Sequence, residues 1–243
     1  MIMKTKTFAA LCCMAALFAA CEKNNVGSAS GITKGHKWVD LGLPSGLKWA
    51  TCNVGASTPK GYGDYFAWGE TESKQTYSWK NYKWATTTYD AANNEWDLET
   101  ITKYYVKYND YYGDYESDAS VLTPEDDAAH AAWEGSWRLP TVEEWEELRS
   151  NCTWTWTTRN NVNGFEVKGT NGNSIFLPAA GSRENGDFYG ANDYGCYWSS
   201  SLSTSNYYSE STSAYCIEFD PYGVDVNSYT SRNNGCSVRA VCN

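Results

Sequence analysis

Between residues 36 and 55 apolar and polar positions alternate in two short runs, one on each side of Pro44, Ser45 and Gly46. Period-two alternation broken by such residues predicts a β-hairpin. A further short strand is expected within 61–69, where Tyr65, Phe66 and Trp68 stand between glycines. From 70 to 122 the chain is polar yet studded with Tyr and Trp, and no period is sustained. A stretch of that length inside a compact domain is either functional or an insertion pinned to the core by its aromatic residues, and the pattern leaves both open. Two helices follow. Thr123 as cap, Pro124 in the first helical position, acids in the first turn and an Ala-rich body predict one over 123–133. Thr141 as cap, with Glu144 closing a capping box and Val142, Trp145 and Leu148 on one face, predicts a second running to Cys152. Arg138 and Leu139, ahead of Pro140, are extended between them.

Beyond Cys152 the pattern changes to short strands separated by turn signals. They contain Trp154 and Trp156, Phe165 and Val167, Ile175 to Leu177, Tyr197 to Ser201, Ala214 to Phe219, and a last strand from Cys236 to Cys242. Helices early and strands late predict a single α+β domain. Trp38, Trp49, Trp137, Trp145 and Trp198 each lie in a strand or helix phrase and are expected in its core.

The first twenty residues stand outside this pattern. Lys4 and Lys6 precede an apolar run that ends in Ala19, Ala20 and Cys21, the arrangement of a secretory signal with small residues at the cut. The run is too short to span a bilayer. Residues 1–20 are therefore read as a signal peptide, 21–33 as a Gly/Ser/Asn tether, and 34–243 as the folded domain. Cys12 and Cys13 leave with the signal, and six of the nine cysteines remain for the domain: Cys52, Cys152, Cys196, Cys216, Cys236 and Cys242. In an oxidising envelope an even set predicts disulfides, with the pairing left open.

Charge and composition narrow the partners. With a net charge of −10 and no basic cluster interleaved with aromatics, nucleic acid is excluded as the expected partner. The two histidines, His36 and His130, lie in no triad motif and are read as structural or surface residues. Asp220, Asp225, Asn192 and Asp193 carry oxygens but no spaced cation loop, so neither a metal nor a cofactor is expected. The remaining signal is a palette. Tyr194, Asn206, Tyr207, Tyr208, Tyr222, Asn227, Tyr229, Asn233 and Asn234 sit among serines, and rigid amphipathic rings beside small hydrogen-bonding groups make contact surfaces like those of antibody loops. These nine residues are the expected face for a glycan or protein ligand.

Several phrases carry a resemblance. Val39-Asp-Leu-Gly-Leu-Pro-Ser-Gly-Leu-Lys-Trp-Ala-Thr-Cys-Asn-Val-Gly-Ala56, Trp137-Arg-Leu-Pro-Thr-Val-Glu-Glu-Trp-Glu-Glu-Leu148, Gly172-Asn-Ser-Ile-Phe-Leu-Pro-Ala-Ala-Gly181, Tyr197-Trp-Ser-Ser-Ser201 and Ser237-Val-Arg-Ala-Val241 resemble the Fibrobacter succinogenes major paralogous domain family of Bacteroides-type lipoproteins. The segment before Cys21 resembles a lipobox, which implies lipidation of Cys21, a membrane tether without a span, and a place on the outer membrane or cell surface. Arg138-Leu-Pro-Thr-x-x-Glu-Trp145 is also similar to the formylglycine-generating and sulfatase-modifying group, which implies a C-type-lectin-like fold: two helices and short twisted antiparallel sheets with long irregular loops. That group's oxidase activity, which would bind copper(I) through Cys236 and Cys242, is disfavoured because its catalytic phrases are absent; the domain is read as a binding module and not an enzyme. A non-catalytic structural lipoprotein is the remaining alternative. Proteins of this kind include targets of diversity-generating retroelements, which implies that the Tyr, Ser and Asn codons near the C-terminus are open to diversification.

Overall fold

The computed structural model describes residues 29–93, 95–109, 114–117, 119–203 and 211–243, with 95, 106–109 and 114–117 described by their backbone alone. In chain order the first strands are β1 (Ser30–Thr33), β2 (His36–Asp40), β3 (Lys48–Ala50), β4 (Tyr65–Phe66), β5 (Ala85–Asp90), β6 (Glu95–Ile101), β7 (Val106–Asn109) and β8 (Asp114–Ser117). The helices α1 (Ala128–Trp133) and α2 (Val142–Asn151) come next. They are followed by β9 (Thr153–Arg159), β10 (Val162–Lys168), β11 (Ser174–Pro178), β12 (Ser182–Glu184), β13 (Asp187–Tyr189), β14 (Gly195–Leu202), β15 (Ser213–Asp220), β16 (Gly223–Ser231), β17 (Cys236–Ser237) and β18 (Val241–Cys242). The class is α+β and rich in small, mostly antiparallel sheets.

The first hairpin forms where alternation predicts it. Gly46 N–H donates to Leu43 O across 2.9 Å with Pro44 at the second turn position, and β2 pairs with β3 through Val39 and Trp49. Ser30–Thr33, placed in the tether by sequence, instead forms β1 against β2, so the folded part begins earlier than expected. The expected last strand is two. Cys236 and Ser237 pair in β17 with β14 and β4, whereas Val241 and Cys242 pair in β18 with β3, so the ends of that segment belong to different sheets.

The segment between the helices is explained by its contacts. Thr141 Oγ1 accepts from Glu144 N–H at 3.3 Å and the Glu144 carboxylate accepts from Thr141 N–H at 2.9 Å, the capping box expected for α2. Arg138 grips the same carboxylate with both guanidinium nitrogens, at 2.7 and 2.6 Å. Trp145 and Leu148 are then buried against the sheet. The first helix departs from expectation. Residues 124–126 form a 3₁₀ turn, and α1 starts only at Ala128, capped by Asp127, whose carboxylate accepts from Ala129, His130 and Leu139 N–H groups. Asp126 is drawn away to Lys83, Lys103 and Tyr104.

These neighbouring acids titrate in opposite senses. Burial acts to raise the Asp126 carboxyl, but hydrogen bonds from Lys103, Tyr104 and Lys83 outweigh it and hold the group below its ordinary value. Burial dominates at Asp127 and pushes it up. A depressed carboxyl contributes stability that is present above its unfolded pKa and lost as pH falls through its folded one; a raised carboxyl contributes in the reverse direction. Asp126→Asn is therefore expected to flatten the loss of stability on acidification from about pH 5 to about pH 2, measured by urea unfolding at each pH.

A five-stranded sheet, ordered β16, β15, β14, β17, β4, divides the interior. All eight residues of β14 are buried, because both faces are covered. Cys196, Trp198 and Leu202 enter one cluster with Trp68, Trp133 and Trp137; Tyr197 enters the other with Trp49, Trp145, Phe165 and Phe219. Of the expected core tryptophans, Trp49, Trp137, Trp145 and Trp198 are buried, and Trp38 is half-buried at the rim of the first cluster. The stretch 70–122 is anchored from beneath. Tyr65, Tyr77 and Tyr82 build a third cluster, Tyr82 Oη donates to Trp68 O at 2.7 Å, and buried Arg232 donates to Tyr82 Oη, Tyr104 O and Lys103 O, each at 2.9 Å. Among the described residues no helix is long and apolar enough to cross a membrane.

Candidate functional site

Among the described residues, an open concave surface with an aromatic lining lies where the β15–β16 turn meets β9. Burial alternates along β9, so Trp154 and Trp156 share one face while Thr153 and Thr155 are exposed. Both rings stand edge-on to Phe165 of β10, at 5.6 and 5.2 Å between centroids, and Trp156 also meets Phe219 of β15. This packing fixes their orientation from below. The turn above them is tied by Asp220, whose Oδ1 accepts from the N–H groups of Tyr222 and Gly223 at 2.8 and 3.1 Å. Tyr222 is left 96% exposed at its tip. A pocket of about 430 Å³ lies between Arg149, Trp154, Trp156, Phe165 and this turn. Trp154 lines it, and its indole N–H is buried with no acceptor among the described residues.

On the other side of the same turn is a second pocket, of about 420 Å³, lined by Tyr194, Glu218, Asp220, Tyr222 and Asp225. The two share Tyr222, Gly223 and Val224, so an aromatic half and an acidic half adjoin across one exposed ring. Glu218 accepts from Tyr194 Oη at 2.5 Å and from Ser228 Oγ at 2.6 Å. Burial, reinforced by Cys196 and Glu218, pushes the Tyr194 phenol up, so it stays a neutral donor. The arrangement offers flat apolar faces beside carboxylate acceptors and one guanidinium, and it contains no nucleophile paired with a base.

Of the nine expected contact residues, the six that the structure describes do not form one face. Tyr194 and Tyr222 come together at the turn. Asn227 is exposed further along β16, with its N–H bound by Asp225, and Tyr229 lies opposite Tyr215. Seven residues of extended chain put Tyr229 about 23 Å from Tyr222 along the strand. Asn233 is buried, and Asn234 is half-buried with its amide donating to Thr230. Burial removes the Asn233 side chain from any open contact surface. Asn206, Tyr207 and Tyr208 lie outside the described residues, as does Cys21. Sequence reasoning missed Arg149, Trp154, Trp156 and Glu218 as site residues. The alternation of Trp154 with Trp156 was the available signal, and it reads equally well as a strand facing a core.

The other candidates for chemistry have structural partners. His36 stacks on Trp133 at 4.0 Å, and His130 Nδ1 lies 3.2 Å from Trp137 O. No disulfide joins the six domain cysteines in the structure; Cys52 and Cys152 are half-buried and the rest buried. Cys236, paired with Cys242 in the copper(I) alternative, has its sulfur 2.8 Å from Cys196. Burial works against ionising Cys196, but hydrogen bonds from Cys216 and Cys236 prevail and lower its pKa, while those two thiols are raised. No family model, curated protein or solved structure matches the chain.

Proposed function

We propose that the protein is a lipid-anchored binding module of the cell envelope that takes a glycan in the paired pockets around Tyr222. The observation that carries this reading is the juxtaposition of Trp154, Trp156 and exposed Tyr222 with Asp220, Asp225 and Glu218 on a turn fixed from below. Sugar rings present apolar C–H faces that pack on aromatic side chains and hydroxyls that donate to carboxylates, so an aromatic floor beside acidic acceptors suits them. The acids make an anionic glycan a poorer fit than a neutral one.

The Arg138-to-Trp145 phrase, which resembles the formylglycine-generating and sulfatase-modifying group, supports a C-type-lectin-like scaffold for this surface, and the apolar run before Cys21 supports lipidation there and a place on the outer membrane or cell surface. Diversification by a retroelement is part of the same proposal only for the exposed positions, Tyr222, Asn227 and Tyr229 among them, and it requires a near-identical template repeat beside the gene. Protein from the full chain, probed on a glycan array, is expected to retain neutral glycans. Binding followed by tryptophan emission is expected to perturb Trp154 and Trp156. Retention of proteins alone, with no glycan bound, overturns the glycan reading.

A further inference from the structure

We propose that Cys196, Cys216 and Cys236, together with Glu218, form a zinc(II) site inside the five-stranded sheet. Strand register dictates the cluster. Cys196 on β14 lies opposite Glu218 on β15, and Cys216 lies opposite Trp198, two residues along β14 from Cys196. On the other side of β14, Tyr197 pairs with Ser237 of β17, which places Cys196 and Cys236 at matching positions on neighbouring strands. Three cysteines from three adjacent strands thus enter the same buried cluster. Each is no more than 1% exposed.

Three of the four donors already stand close together. Cys196 Sγ, Cys216 Sγ and a Glu218 carboxylate oxygen lie within 4.8 Å of one another, while Cys236 Sγ, 2.8 Å from Cys196 Sγ, stands outside that group and moves toward it on loading. A tetrahedral zinc ion with Zn–S bonds of about 2.3 Å holds its sulfurs about 3.8 Å apart, so the Cys196 and Cys236 sulfurs separate by about 1 Å on loading. The donor set selects the metal. Three thiolates suit zinc(II) and copper(I) alike, but the fourth donor is a carboxylate, a hard oxygen that zinc accepts and copper(I) does not favour.

The hydrogen bonds that Tyr194 and Ser228 donate to Glu218 orient that carboxylate, as outer partners do at metal sites. Loading releases the three thiol protons to solvent and changes no oxidation state. Tyr194 and Glu218 also line the acidic pocket, so the ion braces the floor of that pocket; the site itself does not depend on what the pocket binds.

Protein from the full chain, purified without chelator under nitrogen, is expected to carry one zinc per chain by elemental analysis. Replacement by cobalt(II) is expected to give thiolate-to-cobalt charge transfer and the visible bands of tetrahedral cobalt. Cys216→Ser abolishes those bands, and Cys242→Ser leaves them unchanged. Because a core cysteine variant can fail to fold, Glu218→Gln at the half-buried edge is the second test, with zinc affinity expected to fall at least about tenfold. Metal-free protein whose intact mass is short of two hydrogens, with a peptide map joining Cys196 to Cys236, overturns the site. So does zinc content that survives in folded Cys216→Ser.

Discussion

Replacing Arg239 by Leu is expected to lower the stability of the domain by about 3–5 kcal/mol. The guanidinium is fully buried and donates in three directions: to Asn53 Oδ1 at 2.9 Å, to Ala50 O at 3.0 Å and to Phe176 O at 2.9 Å. These acceptors belong to the end of β3, the loop just after it and the middle of β11, so one side chain ties the β3 end to a strand of another sheet. Burial pulls the Arg239 pKa down, yet the partners supplied are neutral oxygens in the geometry of a planar fork. Leu fills much of the volume and leaves all three acceptors without that donor, at about 1–3 kcal/mol each before relaxation. Arg239→Lys keeps the charge but not the fork and should fall between the two. Urea unfolding at constant m-value ranks them. Arg159→Leu is the comparison: its ion pair with Glu166 is exposed on β9, and its loss is expected to cost less than about 1 kcal/mol.

Trp145→Ala is expected to cost a similar amount, about 3–5 kcal/mol. The ring is fully buried, lies 4.6 Å from Trp49 and 6.2 Å from Tyr197, and donates its indole N–H to Trp198 O at 3.3 Å. It is the residue through which α2 docks on both the first sheet and the central one, so truncation opens a cavity that rigid strands on two sides cannot close. Tyr222→Ala removes a ring of comparable size and should change stability by no more than about 0.5 kcal/mol, because that ring buries almost nothing. Thermal melts of the two variants separate the scaffold aromatics from the contact aromatics.

What the sequence disclosed follows the range of the forces involved. The capping box of Thr141 and Glu144 and the turn at Pro44 are local, and both form as expected. Thr123 and Pro124 offered an equally good local helix start, but Asp127 prevails because it also receives Leu139 N–H, a partner twelve residues away. The tryptophans of the strand and helix phrases were legible as core because apolar bulk at those positions has nowhere else to go. The groove was not. Trp154 and Trp156 become a floor only when the β15–β16 turn, about sixty-five residues later in the chain, folds over them. Asn233 misled for the same reason: its composition reads as surface, and its burial is set by segments remote in sequence. The cysteine cluster needed the register of three strands before any sulfur could be placed.

The exposed turn at Tyr222 is the proposed ligand contact. The dissociation constant of a glycan retained by the wild-type protein, measured by calorimetry for the wild type and for Tyr222→Ala, tests this most directly. The variant is expected to bind at least about tenfold more weakly, about 1.4 kcal/mol, with an unchanged melting temperature. Equal affinity in the two proteins contradicts it.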